Sequence, residues 1–248
     1  MGVALGAFVV LPGLAVGSFL YVVATRLPER RSLMHPRSAC RSCRTEIAWY
    51  DNVPLLSYML LRGRCRTCRT PIGPIYPAVE FTTAALLVAC YFAFGISLEG
   101  LAAAVFCAAL VVITATDLSH RIVPNLVVLP AAAIVCALMT AAEPSPEWAI
   151  AGVGAALFLF IVALAYPGGM GMGDVKLALL MGVALGRAVA VALPLGMIAA
   201  LIPAIVLFAR HGSRARKMAI PFAPFLAVGS VIALFAGDAL VHAYSSLF

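Results

Sequence analysis

Two aspartates stand at the edges of apolar segments that otherwise carry almost no charge. Asp174 follows the glycines of Gly171-Met172-Gly173-Asp174-Val175-Lys176, itself preceded by Pro167-Gly168-Gly169-Met170, and Asp117 lies in Thr116-Asp117-Leu118-Ser119-His120-Arg121. An ionisable group beside a membrane segment is costly and points to function. Two carboxylates sharing one proton are the minimum equipment of an aspartic hydrolase: the ionised one takes a proton from water, and the protonated one polarises a peptide carbonyl. A scissile peptide must lie extended to expose that carbonyl. Glycines disfavour regular helix and let another backbone approach closely. Gly171, Gly173 and Lys176 are therefore the expected substrate-approach loop. Asp117 ends a helix, at its partially negative pole, and Asp174 opens one, at the positive pole. That contrast makes Asp174 the expected water-activating base and Asp117 the expected acid.

A second chemistry lies in the thiols. Cys40-Arg41-Ser42-Cys43-Arg44-Thr45-Glu46-Ile47 is echoed by Cys65-Arg66-Thr67-Cys68-Arg69-Thr70-Pro71-Ile72, with 21 residues between Cys43 and Cys65. Two C-x-x-C knuckles at nearly the usual spacing predict one tetrahedral zinc on four thiolates, a staple for a segment with little core of its own. The competing reading is a labile dithiol pair. Cys90, Cys107 and Cys136 lie in apolar runs and read as packing side chains.

The elements that must position these groups are transmembrane. Of the 248 residues, 64% are hydrophobic and 11% charged, far from a soluble composition. The expected fold is an all-α polytopic membrane protein of about eight transmembrane helices with a cytoplasmic zinc-binding loop domain. Apolar runs place the spans at 3–25, 78–94, 101–116, 125–142, 148–166, 175–185, 188–209 and 220–243, the sixth too short for certain passage. Positive charge follows the first run rather than preceding it, which predicts an uncleaved span. The expected division is a first transmembrane helix over 1–25, a four-cysteine domain over 26–77 and a transmembrane peptidase domain over 78–248.

Net charge is +7, and ten of the 17 Lys and Arg fall between Arg26 and Arg69, with four more between Arg210 and Lys217. Eight spans put every basic residue except Arg187 on one side, as cytoplasmic loops require. The charge therefore reads as a surface for anionic lipid headgroups and not for nucleic acid. In this topology two spans separate Asp117 from Asp174, which brings both aspartates to the cytoplasmic rim.

With these motifs the chain resembles the type IV prepilin peptidases, the G-x-G-D aspartic proteases of prepilin processing. The likeness runs through Gly17-Ser18-Phe19-Leu20 and Arg26-Leu27-Pro28, the cysteine pairs flanking Trp49-Tyr50-Asp51-Asn52-Val53-Pro54, Leu61-Arg62-Gly63-Arg64-Cys65, Tyr76-Pro77-Ala78-Val79-Glu80, Asp117 with Ile122-Val123-Pro124-Asn125, and Gly171 to Lys176. The resemblance implies cleavage of type IV prepilins and type II secretion pseudopilins on the cytoplasmic side of a bacterial inner membrane, with Asp117 and Asp174 as the catalytic pair and Cys40, Cys43, Cys65 and Cys68 as the metal site. For many members with the four-cysteine loop it also implies methylation of the new N-terminal amine by S-adenosylmethionine. The chain departs from the pattern at Tyr21, where asparagine is frequent, and at Arg44 and Arg69, where zinc knuckles favour glycine.

Other charged residues read more plainly. Glu80, beside Pro77 at the start of a span, either caps its helix or orients substrate; Lys176 meets a substrate carboxylate or reaches headgroups; Asp51 is a turn residue. Two other functions fit the composition: a transporter relaying protons through Asp117 and Asp174, and a zinc-bearing membrane adaptor. The transporter reading lacks repeated halves and midplane acids. The adaptor reading requires both aspartates to tolerate asparagine.

Overall fold

The computed structural model describes residues 2–35, 38–166, 170–212 and 220–245. Pro167, Gly168 and Gly169 of the glycine stretch, and Arg214, Arg216 and Lys217 of the last basic loop, lie outside the described residues. Eight long helices appear among the described residues: α1 (Gly2–Arg26), α3 (Ile75–Phe94), α4 (Leu98–His120), α5 (Asn125–Ala142), α6 (Glu147–Ala165), α7 (Met172–Leu185), α8 (Val189–His211) and α9 (Ala223–Ser245). A five-residue helix, α2 (Leu56–Leu60), lies in the polar segment. Six helical stretches are long and apolar enough to cross a bilayer, one of them the run Met172–His211 that holds α7 and α8 together, and Ala223–Gly237 is a shorter apolar helix. The chain is a multi-pass membrane protein of all-helical architecture.

Helix starts follow local chemistry. Pro74, Pro124 and Pro146 immediately precede α3, α5 and α6, and a preset φ suits the entry to a first turn. Ser97 caps α4 by accepting the Gly100 N–H at 2.9 Å. That helix runs past Asp117 to His120 and stops at Arg121 in the left-handed region, φ +55°. Asp117 therefore sits in the last turn rather than at the terminus.

The chain divides into two compact units, Met1–Gly95 and Ile96–Phe248. In the first, α3 packs along α1. The backbones approach where Gly13 faces Ala84 and Gly17 faces Glu80. In lipid, association rests on such close packing, because lipid tails are as apolar as the side chains they replace.

The second unit is built around α7. This helix touches α4, α5, α6, α8 and α9, and Leu177, Ala178, Leu180 and Met181 on it are wholly buried. Its 14 residues extend about 21 Å, less than the ~30 Å of a hydrocarbon core. An all-round apolar sequence suits a helix enclosed by others. By contrast, Ile198, Leu201, Ile202 and Ile205 of α8 are exposed, as side chains facing lipid are.

Candidate active site and metal centre

The second unit carries the carboxylates. The end of α4, the Arg121–Asn125 connection and the start of α7 enclose a cavity of ≈ 310 Å³ lined by Asp117, Arg121, Ile122, Val123, Asn125, Gly171, Gly173, Asp174 and Lys176. Both aspartates are buried. The structure thus brings together Asp117, Asp174, Gly171, Gly173 and Lys176, five residues drawn from two stretches far apart in the chain.

Each carboxylate is held by backbone. Asp174 stands in the first turn of α7, and its Oδ2 accepts the Gly171 N–H at 3.3 Å. The Oδ2 of Asp117 accepts the N–H of Ala223, the first residue of α9, at 3.0 Å. Asp117 therefore meets the positive pole of α9 while belonging to the negative end of α4. The helix-pole contrast that made Asp174 the base and Asp117 the acid disappears, because both carboxylates lie against N-terminal amides. Nothing in the sequence links Asp117 to Ala223, which is 106 positions away.

The two glycines differ in what surrounds them. A Cβ on Gly173 would lie 2.8 Å from Val123 Cβ, whereas one on Gly171 would meet nothing closer than Asp174 Oδ2 at 3.7 Å. Gly173 is thus a packing glycine that lets α7 approach the α4–α5 connection, and Gly171 leaves open space beside a carboxylate. Gly173→Ala is expected to destabilise the protein by about 1–3 kcal/mol through overpacking. Gly171→Ala is expected to cost less, about 0.5–1 kcal/mol, because alanine is a poorer N-cap than glycine and meets no clash there. Thermal unfolding of the two variants in detergent separates these expectations.

Lys176 Nζ donates to Asn125 Oδ1 at 2.8 Å, joining α7 to the start of α5 across the cavity wall. The sequence marked Asn125 only as part of a similar stretch. Its contact with Lys176 is visible only in three dimensions.

The first unit carries the thiols. The four Sγ atoms of Cys40, Cys43, Cys65 and Cys68 lie within 4.8 Å of one another, with Cys40–Cys68 at 3.7 Å and Cys43–Cys65 at 4.0 Å. Tetrahedral zinc with ordinary Zn–S bonds separates sulfurs by about 3.8 Å, so the donor set fits that ion.

The knuckles are structural copies. Cys40 N–H donates to Thr45 O and Cys65 N–H to Thr70 O, while the N–H groups of Arg44 and Arg69 donate to Cys40 O and Cys65 O. Arg44 and Arg69 both adopt φ +58°, the conformation for which glycine is favoured. Thr45 Oγ1 lies 3.3 Å from Cys43 Sγ, and Thr70 Oγ1 lies 3.2 Å from Cys68 Sγ. Hydrogen bonding from Thr45 holds the Cys43 thiol below its ordinary range, and hydrogen bonding from Thr70 pushes Cys68 down to about 6. Both effects favour the thiolate that a metal binds.

Two residues read modestly in the sequence have more specific contacts. Asp51 makes a two-pronged pair with Arg66, whose Nε donates at 2.7 Å, and the guanidinium lies over the Tyr50 ring. This ties the inter-knuckle segment to the second knuckle. Glu80 does not cap its own helix. Its Oε2 accepts the Leu55 N–H at 2.8 Å, at the start of α2.

Comparison with known proteins gives a consistent result over most of the chain. Residues 11–94 match the family model described as the bacterial peptidase A24 N-terminal domain, and residues 104–210 match the type IV leader peptidase family. A prepilin leader peptidase/N-methyltransferase of Bacillus subtilis is 35% identical over 237 residues, covering 94% of both chains. One from Burkholderia pseudomallei is 37% identical, covering 93% of this chain and 85% of its own. One from Aeromonas hydrophila is 33% identical, covering 98% and 94%. No solved structure matches the chain.

Proposed function

Since the chain belongs to the type IV leader peptidase family, we propose that Asp117 and Asp174 are the catalytic pair with which it removes the leader of type IV prepilins and pseudopilins. The chain is an enzyme of leader-peptide cleavage and N-methylation, like the relatives it resembles. The observation that carries the assignment of the pair is that both carboxylates line one cavity, where two acids can share a proton. One takes a proton from water as its oxygen attacks the scissile carbonyl; the other gives its proton to the carbonyl oxygen, and the roles reverse as the amine leaves.

The open side of Gly171 and the Gly173 backbone form the strip along which the substrate lies extended, and Lys176, anchored by Asn125, marks its edge. Arg121 and Lys176 line the same cavity; their positive charge offsets that of the ionised carboxylate. The basic charge of the loops supports a site at the cytoplasmic face of a bacterial inner membrane, with anionic lipids as the surrounding partners and nucleic acid as none.

The decisive experiment incubates the purified protein in detergent with a prepilin and a labelled methyl donor. Leader loss together with label on the mature N-terminus is the expected result. An intact prepilin would overturn the proteolytic reading, and leader loss without label would overturn the methylation.

Cys40, Cys43, Cys65 and Cys68 hold a structural zinc, which fixes the two knuckles against each other. S-adenosylmethionine is the methyl donor that the second activity takes. Replacing Cys65 by Ser is expected to remove one equivalent of zinc per chain and to expose the 26–77 segment to protease, because a segment this poor in apolar core depends on its staple. Metal analysis and limited proteolysis read the two effects; full zinc content in the variant would exclude this ligand set.

A further inference from the structure

Glu80 is the one wholly buried charged residue among the described side chains, and the peptidase chemistry does not use it. It lies in the second turn of α3 with 0% of its surface exposed. Its Oε2 accepts the Leu55 N–H, but its Oε1 has no hydrogen-bond partner, and it enters no ion pair among the described residues. A buried carboxylate oxygen left unsatisfied is costly and calls for a cation. Capping a backbone amide does not require an acid, since glutamine offers the same acceptor.

The surroundings suit a small organic ammonium. Tyr76, one turn earlier on α3, interacts with Glu80 by side-chain hydrogen bonding and by charge, and with Tyr21 by charge. Its hydroxyl lies 3.4 Å from Ser18 Oγ, and its ring meets that of Tyr21 edge-on at 5.1 Å between centroids. A carboxylate with two phenol rings and a hydroxyl attracts cations by charge and by ring quadrupole. Leu55, whose N–H the carboxylate holds, has φ +56° with ψ −47°, strained for a leucine. The next residues, Leu56, Met59 and Leu60, are exposed. Moving this strap breaks little packing and frees the Glu80 carboxylate.

We propose that Glu80 takes up the free N-terminal amine created by leader removal and accepts the proton that this ammonium must lose before methylation. The inference rests on the N-methylation reading and gives that activity its first residue. The ammonium passes one proton to the Glu80 carboxylate. The nitrogen lone pair then forms the N–C bond to the methyl group of a sulfonium donor while the C–S bond breaks, its electron pair remaining on sulfur as a neutral thioether. Glu80 is on this account a catalytic residue for methyl transfer and not for proteolysis.

The test uses the full chain in lipid nanodiscs with a prepilin and a radiolabelled sulfonium methyl donor. Glu80→Gln keeps the acceptor for Leu55, so leader cleavage is expected within about twofold of the parent, while methyl incorporation falls about 10²-fold. A second readout needs no turnover: a fluorescent peptide of the mature N-terminus binds the parent about tenfold more tightly than its N-acetylated form, and Glu80→Gln abolishes that preference. Undiminished methylation by Glu80→Gln, or equal binding of the free and acetylated peptides by the parent, would overturn the proposal. A parent that cleaves without methylating fails the N-methylation reading itself, while the peptide preference still decides whether Glu80 receives an amine. If Glu80→Gln also loses cleavage, the same binding comparison decides.

Discussion

Asp174→Asn and Asp117→Asn each lower leader cleavage by about 10²–10⁴-fold, the usual worth of a positioned acid or base, and leave the helices in place. Asparagine keeps the shape of the side chain and one carbonyl oxygen. The Gly171 N–H that Asp174 accepts and the Ala223 N–H that Asp117 accepts therefore retain partners. What is lost is the shared proton. Because the two acids act as one unit, the double variant is expected to be little worse than either single one. Asp117→Ala behaves differently: it also leaves the first amide of α9 unpaired and costs about 1 kcal/mol of stability, as loss of a helix cap does. Gel analysis of prepilin cleavage, with circular dichroism melting in detergent, separates loss of chemistry from loss of fold. Cleavage at the parental rate by either Asn variant would remove the dyad and send the search for the catalytic group elsewhere in the chain.

Signals carried by local sequence were legible, and contacts between distant residues were not. Apolar runs of membrane length marked the helices, because burial in lipid selects composition over a continuous stretch. Boundaries moved by a turn where polar residues continue a helix: Leu118-Ser119-His120 extend α4, and it stops at an arginine rather than at the glycine that ordinarily signals an end. The eight-residue repeat announced the two knuckles, whose folds are copies down to the threonine beside each second cysteine. The cavity residues were readable as two stretches, but the hold of α9 on Asp117 was not, since a hydrogen bond between residues 106 positions apart leaves no periodic trace. The capping reading of Glu80 failed for the same reason. Beside a proline at a helix start, an acid reads as a cap for its own helix; the amide it meets belongs to Leu55.

Gly182→Val is the substitution outside the catalytic cavity expected to do the most damage, because it acts on the helix that carries Asp174. At the crossing of α6 and α7, Gly152 faces Gly182. A Cβ on Gly182 would run into the Ala151 carbonyl and the Gly152 Cα. These are backbone atoms and cannot rotate away, so α7 itself must shift. Overpacking of this kind costs about 3 kcal/mol. In a helix touching five others the shift is carried to its first turn, and a displacement of about 1 Å at a reacting group lowers rate by about 10²-fold. Gly154→Val on the same α6 provides the comparison. A Cβ there meets nothing within 4 Å, and valine forms helix better than glycine does. The pair therefore tests close backbone approach and not merely the presence of valine in α6 or α7. The expected result is a lowered melting temperature and lost leader cleavage for Gly182→Val, with both properties at the parental level for Gly154→Val. Equal melting of Gly182→Val and the parent would mean that α7 is not clamped at this crossing, and the placement of Asp174 would then need another support.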